Sequence, residues 1–286
     1  MENKISIVLP VYNEEEAVAQ TIKEVKEAIE RTEYPYEIIA VDDGSKDRSI
    51  EVLGKIKGIK VMHHPYNLGY GAALKTGIKA AKGDWILITD VDGTYPIKDI
   101  PKLLGYIKEY DMVVGARGKG AKVPLLRRPA KKILSMLANF LSGRKIPDLN
   151  SGFRVFKKEI ALEFFHLFPQ GFSFTTTITL ACLTNGYTVK CIPIEYFKRK
   201  GKSSISPIKD FSSFFSTIIR VITYFKPFKI FSLISAFLFI LSLAVFLYSK
   251  LYLGQVMDIT VVVILLSSLQ VFLFGLIADL IAKKVK

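Results

Sequence analysis

Through the first 116 residues, short apolar runs alternate with amphipathic stretches. Residues 5–9, 37–41, 59–62, 85–89 and 112–114 read as strands, and 15–31, 47–56, 71–81 and 97–110 as helices. This order implies βαβ crossovers and an α/β fold with a largely parallel central sheet. Ligands of such sheets gather beyond the carboxyl ends of the strands. The polar clusters fall there: Pro10-Val11-Tyr12-Asn13-Glu14 after the first strand, Asp42-Asp43-Gly44-Ser45 after the second, and Asp90-Val91-Asp92-Gly93 after the fourth.

The pattern changes twice further on. Past Arg117 come a basic stretch, a predicted helix over 129–142 and a mixed region ending near Phe197. From 207 to 225, Phe211, Phe214, Phe215, Ile218, Ile222 and Phe225 recur at helical intervals, as expected of an amphipathic helix lying in a membrane interface. Then follow nineteen uncharged residues, 230–248, and twenty more, 259–278. At about 1.5 Å per residue each reaches roughly the 30 Å of a hydrocarbon core, so a transmembrane hairpin is predicted. The chain thus divides into a head (1–205), a juxtamembrane helix (206–229), two spans (about 230–248 and 259–281) and a basic tail (283–286).

Charge sharpens this picture. Of 40 Lys and Arg and 26 Asp and Glu residues, four basic and two acidic ones lie beyond residue 229, so the 229 residues ahead of the spans carry +12. A basic head beside a lipid surface favours anionic headgroups or phosphates as partners; nucleic acid is not expected. Arg220, Lys226 and Lys229 precede the first span, and Lys283, Lys284 and Lys286 follow the second. The positive-inside bias therefore predicts an integral membrane protein with head and both termini cytosolic. The opening residues run straight into the first strand without a signal-peptide pattern, and Cys182 and Cys191 form neither a metal spacing nor a disulfide framework.

Asp90 and Asp92 flank one residue at a strand end, where both carboxylates can reach one point. Two hard oxygen donors suit Mg²⁺ or Mn²⁺, and such an ion neutralises a diphosphate. Asp42 and Asp43 end the second strand, where a carboxylate can accept bonds from a base or ribose, or cap the next helix. Arg117, Arg127, Arg128, Lys131 and Lys132 form a run without an acidic residue, suited to offset repulsion between two anionic reactants. Lys198, Arg199, Lys200 and Lys202 sit among Gly and Ser in a segment able to close over phosphates or to lie on an anionic membrane.

These clusters, with Asn67-Leu68-Gly69, Gly115-Ala116-Arg117 and Asp148-Leu149-Asn150-Ser151-Gly152-Phe153-Arg154, occur in one order ahead of paired spans. In that combination residues 1 to about 205 resemble the family 2 glycosyltransferases of GT-A fold. The whole chain resembles polyprenyl-phosphate glycosyltransferases of the dolichyl-phosphate mannose synthase type. The resemblance implies that Pro10, Tyr12, Asn13, Glu14, Val41, Asp43, Asp90, Val91, Asp92 and Arg117, with Lys198 and Lys202, line a pocket for a GDP- or UDP-linked sugar. It implies a metal on Asp90 and Asp92, an acceptor phosphate on Arg117, Arg128, Lys131 and Ser135, and catalytic roles for Asp92 and Arg117. Thr94 departs from the family, standing where mannose synthases commonly place a metal-serving Gln.

The expected reaction moves a monosaccharide onto a dolichyl or undecaprenyl phosphate by direct displacement. A phosphate acceptor is already ionised at neutral pH and needs no base, so His63, His64 and His166 are assigned to strand ends and packing. The alternative is a family 2 enzyme acting on a lipid or saccharide hydroxyl with Asp148 as base. A processive polysaccharide synthase is disfavoured because Gln-x-x-Arg-Trp is missing, and dinucleotide and P-loop enzymes because their glycine motifs are missing. A non-enzymatic anchor would not require Asp90, Asp92 and Arg117 in place. A homo-oligomer is compatible with all of this.

Overall fold

The computed structural model describes residues 3–118, 136, 139–140, 143, 146–171, 173–197, 224, 227–254 and 258–284. The predicted helices 129–142 and 207–225 lie almost wholly outside these, as do Arg127, Arg128, Lys131, Lys132, Ser135 and Lys198 to Lys202. The chain separates into two units, Met1–Phe215 and Ser216–Lys286.

In the first unit the five predicted strands form as β1 (Ile5–Val11), β2 (Tyr36–Asp42), β3 (Lys60–His63), β4 (Trp85–Ile88) and β5 (Met112–Arg117). The helices between them are α1 (Val18–Ile29), α2 (Ser49–Gly54), α3 (Tyr70–Ala80) and α4 (Ile100–Leu104), the last entered through a 3₁₀ turn at Ile97–Asp99. The fourth helix is shorter than its apolar pattern predicts. Two strands escape sequence periodicity: β6 (Arg154–Lys157) and β7 (Val189–Ile194). β6 opens on Arg154 and closes on Lys157, which leaves no apolar run to read, and β7 carries Pro193, which a sheet tolerates at an edge. Helices α5 (Lys158–Glu163) and α6 (Phe174–Thr184) lie between them.

The sheet order is β3-β2-β1-β4-β6-β5-β7. All neighbours are parallel except β6, which runs against both β4 and β5. Arg154, the first residue of β6, lies opposite Ile88, the last of β4, and opposite Val114 of β5. Because β6 runs backwards, the loop that feeds it, 148–153, is delivered to the edge where the parallel strands end. This single reversal brings together segments some sixty residues apart in sequence.

Alternation along β1 assigns the two layers. Ile5, Ile7, Leu9 and Val11 join Val18, Ile22, Val25 and Ile29 of α1 in one apolar core, all of them buried. Val8 faces the other way, against α3. A Cβ on Gly77 of α3 would lie 2.3 Å from Val8 Cγ1, so only glycine allows that helix to approach so closely.

The second unit is a helical hairpin of α7 (Pro227–Tyr252) and α8 (Asp258–Lys284), which are long and apolar enough to cross a membrane, with mean hydropathies of 2.7 and 2.6. Their mutual seam consists of small residues seven apart: Ser235, Ser242 and Ser249 on α7, and Ser268, Gly275 and Ala282 on α8, all buried. Ser235 Oγ donates to Ser268 O at 2.9 Å, Ser268 Oγ to Ser235 O at 3.0 Å and Ser242 Oγ to Val261 O at 3.0 Å. Small side chains allow close backbone approach and hydroxyls find carbonyls, the packing expected where lipid removes any hydrophobic drive between helices. The remaining faces expose large apolar residues such as Leu233, Phe237, Ile240 and Phe274.

Candidate active site

Three loops meet at the carboxyl ends of β1, β2 and β3. Asn13, the only non-glycine residue at positive φ (54°) among the described ones, turns the chain out of β1. Its N–H donates to Ser45 Oγ at 2.9 Å and its Oδ1 accepts Lys46 N at 2.7 Å. Glu14 N donates to Ser49 Oγ at 2.9 Å, while Glu14 O accepts Val18 N at 2.9 Å and so opens α1. The Pro10–Glu14 segment is thus laced to the loop after β2, with Glu14 and Val41 buried and Tyr12 and Asn13 more open.

Asp43 is buried and occupied. It accepts Leu68 N at 2.9 Å and Gly69 N at 2.8 Å, and pairs with His64 Nδ1 at 2.7 Å. The opposite ring nitrogen of His64 lies 2.9 Å from Thr76 Oγ1. A side chain expected to meet a nucleotide directly is therefore also the strut that holds the Asn67–Gly69 loop. That loop needs its glycine: Gly69 has φ 105°, and a Cβ there would sit 2.7 Å from Gln170 O. Asp42, fully buried, accepts Ser45 N at 3.2 Å and faces His63 Nδ1 at 2.8 Å, while its Oδ1 has no hydrogen-bond partner among the described residues. His63 and His64 thus do more than close a strand; each orients, or is oriented by, one of the paired acids.

At the end of β4 the two acids of the Asp90-Val91-Asp92 segment meet different neighbours. Asp92 is buried, and its Oδ1 accepts both Thr94 N at 3.1 Å and Thr94 Oγ1 at 2.6 Å. Thr94 thereby fixes the Asp92 carboxylate. Thr94 O in turn accepts Phe197 N at 2.9 Å, which ties down the chain immediately ahead of Lys198. Asp90 lies against Gly152 and the Tyr70 hydroxyl, which donates to it. Burial, and then the charge of Asp90, push the Tyr70 hydroxyl far above its usual range, so it stays a donor. Between the acids, Val91 is buried, with its carbonyl accepting Thr21 Oγ1 at 3.1 Å.

The 148–153 loop completes the site. Asp148 grips Arg117 at the end of β5 through Nε at 2.6 Å, Nη2 at 2.9 Å and the backbone N at 3.2 Å. The guanidinium also lies 5.3 Å over the ring of Tyr196. Burial disfavours both charges, yet the pairing outweighs it: Asp148 is held below the ordinary carboxylate range and Arg117 above its own. A carboxylate with a lowered folded-state pKa stabilises the fold above its unfolded value of about 4 and loses that contribution as pH falls through the folded value. Two of the five guanidinium N–H groups are spent on Asp148, and among the described residues none takes the Nη1 side, which can meet another anion.

The loop itself is fixed from beneath. Arg154 is fully buried and donates to Ser151 O, to Leu149 O at 3.3 Å, to Thr175 O at 3.0 Å and to Thr179 Oγ1 at 2.7 Å. Ser151 Oγ donates to Gly115 O, and Gly152 N to Tyr95 Oη at 2.7 Å. The Tyr95 ring stacks on Phe153 with centroids 5.7 Å apart. Gly152 has no room for a larger residue: a Cβ would stand 2.9 Å from both Asp90 oxygens and 3.0 Å from the Tyr70 hydroxyl. Gly152→Ala is expected to displace Asp90 and cut kcat/KM at least tenfold. It should cost about 1–3 kcal/mol of stability, so comparing kinetics with the thermal midpoint separates the two effects.

Residues singled out from the sequence thus assemble in one place where they are described: the 10–14 segment, Val41, Asp43, the 90–92 segment, Arg117 and Asp148. Tyr70, Tyr95 and Tyr196 were not foreseen, and Gly152 entered only as part of the 148–154 segment, without its contact to Asp90. Each tyrosine neighbours a motif in sequence, but nothing in periodicity or charge marks them. A separate cavity of about 390 Å³ lies to one side, between α1 and the turn after β4, lined by Glu24, Glu27, Gly93, Tyr95 and Lys98. Its lining sets Glu24 and Glu27 against Arg31 and Lys98.

Residues 6–165 match the family described as Glycosyl transferase family 2, and residues 226–283 match the GtrB C-terminal hairpin. The chain belongs to glycosyl transferase family 2. A dolichyl-phosphate hexose transferase of Haloferax volcanii is 30% identical over 220 residues, covering 76% of this chain and 93% of that protein. An undecaprenyl-phosphate 4-deoxy-4-formamido-L-arabinose transferase of Proteus mirabilis is 32% identical over 163 residues, 55% of this chain, which thereby spans about half that protein's length (50%). Among solved structures, glucosyl-3-phosphoglycerate synthase of Mycobacterium tuberculosis with Mn²⁺, UDP and glucosyl-3-phosphoglycerate superposes with a TM-score of 0.60 at 19% identity, over 77% of this chain and 78% of that one. The protein is therefore a glycosyltransferase whose head has the GT-A-like α/β fold, followed by two helices that could span a membrane.

Proposed function

We propose that this protein transfers a monosaccharide from a GDP- or UDP-linked donor to the phosphate of a polyprenyl phosphate, such as dolichyl or undecaprenyl phosphate, at the cytosolic membrane face. One observation carries the reading. A single loop, 148–152, touches the Asp90 carboxylate through Gly152 and clamps Arg117 through Asp148, so the donor's diphosphate end and an anion-binding arginine share one rigid support. Relatives named for dolichyl- and undecaprenyl-phosphate sugar transfer support the acceptor class.

Within this reading the loops after β1 and β2, with Pro10, Tyr12, Glu14 and Asp43, cradle the nucleoside. Asp92 and Asp90 would hold Mg²⁺ or Mn²⁺. The fit is chemical: Asp90 and Asp92 offer two hard carboxylates one residue apart just beyond the end of β4. That suits a hard ion that completes its shell with substrate phosphates and not a self-sufficient protein site. Such an ion, when bound, neutralises the departing nucleoside diphosphate. Arg117 presents its free edge to the acceptor phosphate, offsetting a repulsion of about 4 kcal/mol between unit charges 4 Å apart at an effective dielectric of 20. Arg128, Lys131 and Ser135 are assigned to the same phosphate, and Lys198 and Lys202 to the donor. The acceptor oxygen attacks the anomeric carbon from the side opposite the leaving diphosphate and needs no deprotonation.

That last point discriminates against a hydroxyl acceptor. Asp148, the base such a reaction would use, is bound on both oxygens by Arg117 and held below the ordinary carboxylate range. The testing experiment incubates membranes bearing the protein with a panel of nucleotide sugars and short polyprenyl phosphates, scoring glycolipid and released nucleoside diphosphate. Transfer to polyprenyl phosphate and none to the matching alcohol is expected. Transfer to the alcohol would establish the hydroxyl reading instead.

A further inference from the structure

The hairpin holds one polar group that its own packing does not explain. Gln270 is the only side-chain amide in α7 or α8. It is exposed on the side of α8 turned away from the Ser268, Gly275 and Ala282 seam, and meets no hydrogen-bond partner among the described residues. It lies twelve residues from Asp258 and thirteen from Lys283. At about 1.5 Å per residue that is roughly 18 Å from either end, which is the midplane of a hydrocarbon core about 30 Å thick. A glutamine side chain is too short to reach the interface from there. An amide left bare in hydrocarbon is costly, and polar side chains at that depth serve as links between helices.

We infer that Gln270 joins two copies of this chain in the membrane, α8 against α8. Three observations favour a second copy over another partner. An amide carries both donors and acceptors, so two glutamines satisfy each other across a two-fold axis. Copies inserted in the same orientation hold Gln270 at the same depth, so the axis stands along the membrane normal and the amides meet without any shift. Finally, Val263, Ser267, Gln270, Phe274, Ile277 and Ile281 are spaced alternately by four and three, the seam of a left-handed parallel pair. Val263 (55%), Phe274 (61%), Ile277 (52%) and Ile281 (59%) are exposed and available to a partner. Ser267, small and already bonded to Val263 O at 2.8 Å, permits close approach one turn from the amide. A polyprenyl chain offers no hydrogen bond at this depth, whereas a polar residue in this seam fixes register and partner number, as buried amides do in coiled coils.

The inference depends on the hairpin spanning a bilayer and not on the identity of the reaction. The full chain, carrying donor or acceptor fluorophores, is reconstituted in liposomes, and energy transfer is followed as lipid dilutes the protein. Flotation after an alkaline wash reports insertion separately. The native chain should show saturable transfer. Gln270→Leu should require about tenfold more protein per lipid, Gln270→Asn should retain most of the association, and Leu265→Ala, on the opposite side of α8, should leave it unchanged. Equal dilution curves for the native chain and Gln270→Leu, or an inserted native chain that stays monomeric, would overturn the inference. So would a loss with Leu265→Ala as large as that with Gln270→Leu.

Discussion

Asp92→Ala should lower kcat/KM for glycosyl transfer by about a thousandfold or more, about 4 kcal/mol of transition-state stabilisation, while the head stays folded. The reason lies in how Asp92 is held. Thr94 bonds one oxygen of the carboxylate through both its N–H and its hydroxyl, so the group is oriented before any ligand arrives, and pre-orientation is where electrostatic catalysis gains most. Removing the side chain should therefore depress turnover far more than nucleoside binding, to which the loops after β1 and β2 contribute independently. Steady-state kinetics set beside calorimetric titration of nucleoside diphosphate gives the comparison. Near-native turnover at saturating Mg²⁺ or Mn²⁺ would remove Asp92 from its assigned role.

Arg154→Ala should destabilise the head by about 3–5 kcal/mol, on the scale of losing a buried charged group with its hydrogen bonds. Four acceptors, the carbonyls of Leu149, Ser151 and Thr175 and the hydroxyl of Thr179, would lose their donor together, and a large cavity would open. At about 2–4 °C per kcal/mol for a domain of this size, the thermal midpoint should fall by about 10 °C. Arg154→Lys keeps the charge but replaces a planar fork with one nitrogen, so it should recover only part of the loss. A thermal shift under about 2 °C for Arg154→Ala would mean that the 148–153 loop is held by other means.

Much of this was legible in the sequence, for physical reasons that differ by element. Strands β1, β2 and β4 are buried central strands, read as continuous apolar runs, and their polar exits announce the ligand edge. The spans are visible because twenty uncharged residues have few other uses. By contrast, β6 has four residues with Arg at its head, and burying that arginine requires a carbonyl and a hydroxyl from a helix some twenty residues onward, a compensation that no local pattern reveals. Asp43 was legible as part of the site but not as a strut, because two of its partners, Leu68 N and Gly69 N, come from a loop whose position depends on Gly69, and the third, His64, follows β3. Thr94 stood out only as a departure; its hydroxyl on Asp92 gives that departure a physical content.

The backward course of β6 has a consequence for how such a chain can change. The stretch from Asp148 to Arg154 is pinned at one extremity to the arginine that ends β5 and at the other to a side chain sealed beneath the sheet. Inserting or deleting one residue would either pull the carboxylate from its guanidinium or rotate Arg154 onto the aliphatic side, since a single-step slip inverts every side chain of a strand. Diversification toward other sugars or lipids would then have to come from replacements within a stretch of constant span, or from the chain on either side of it.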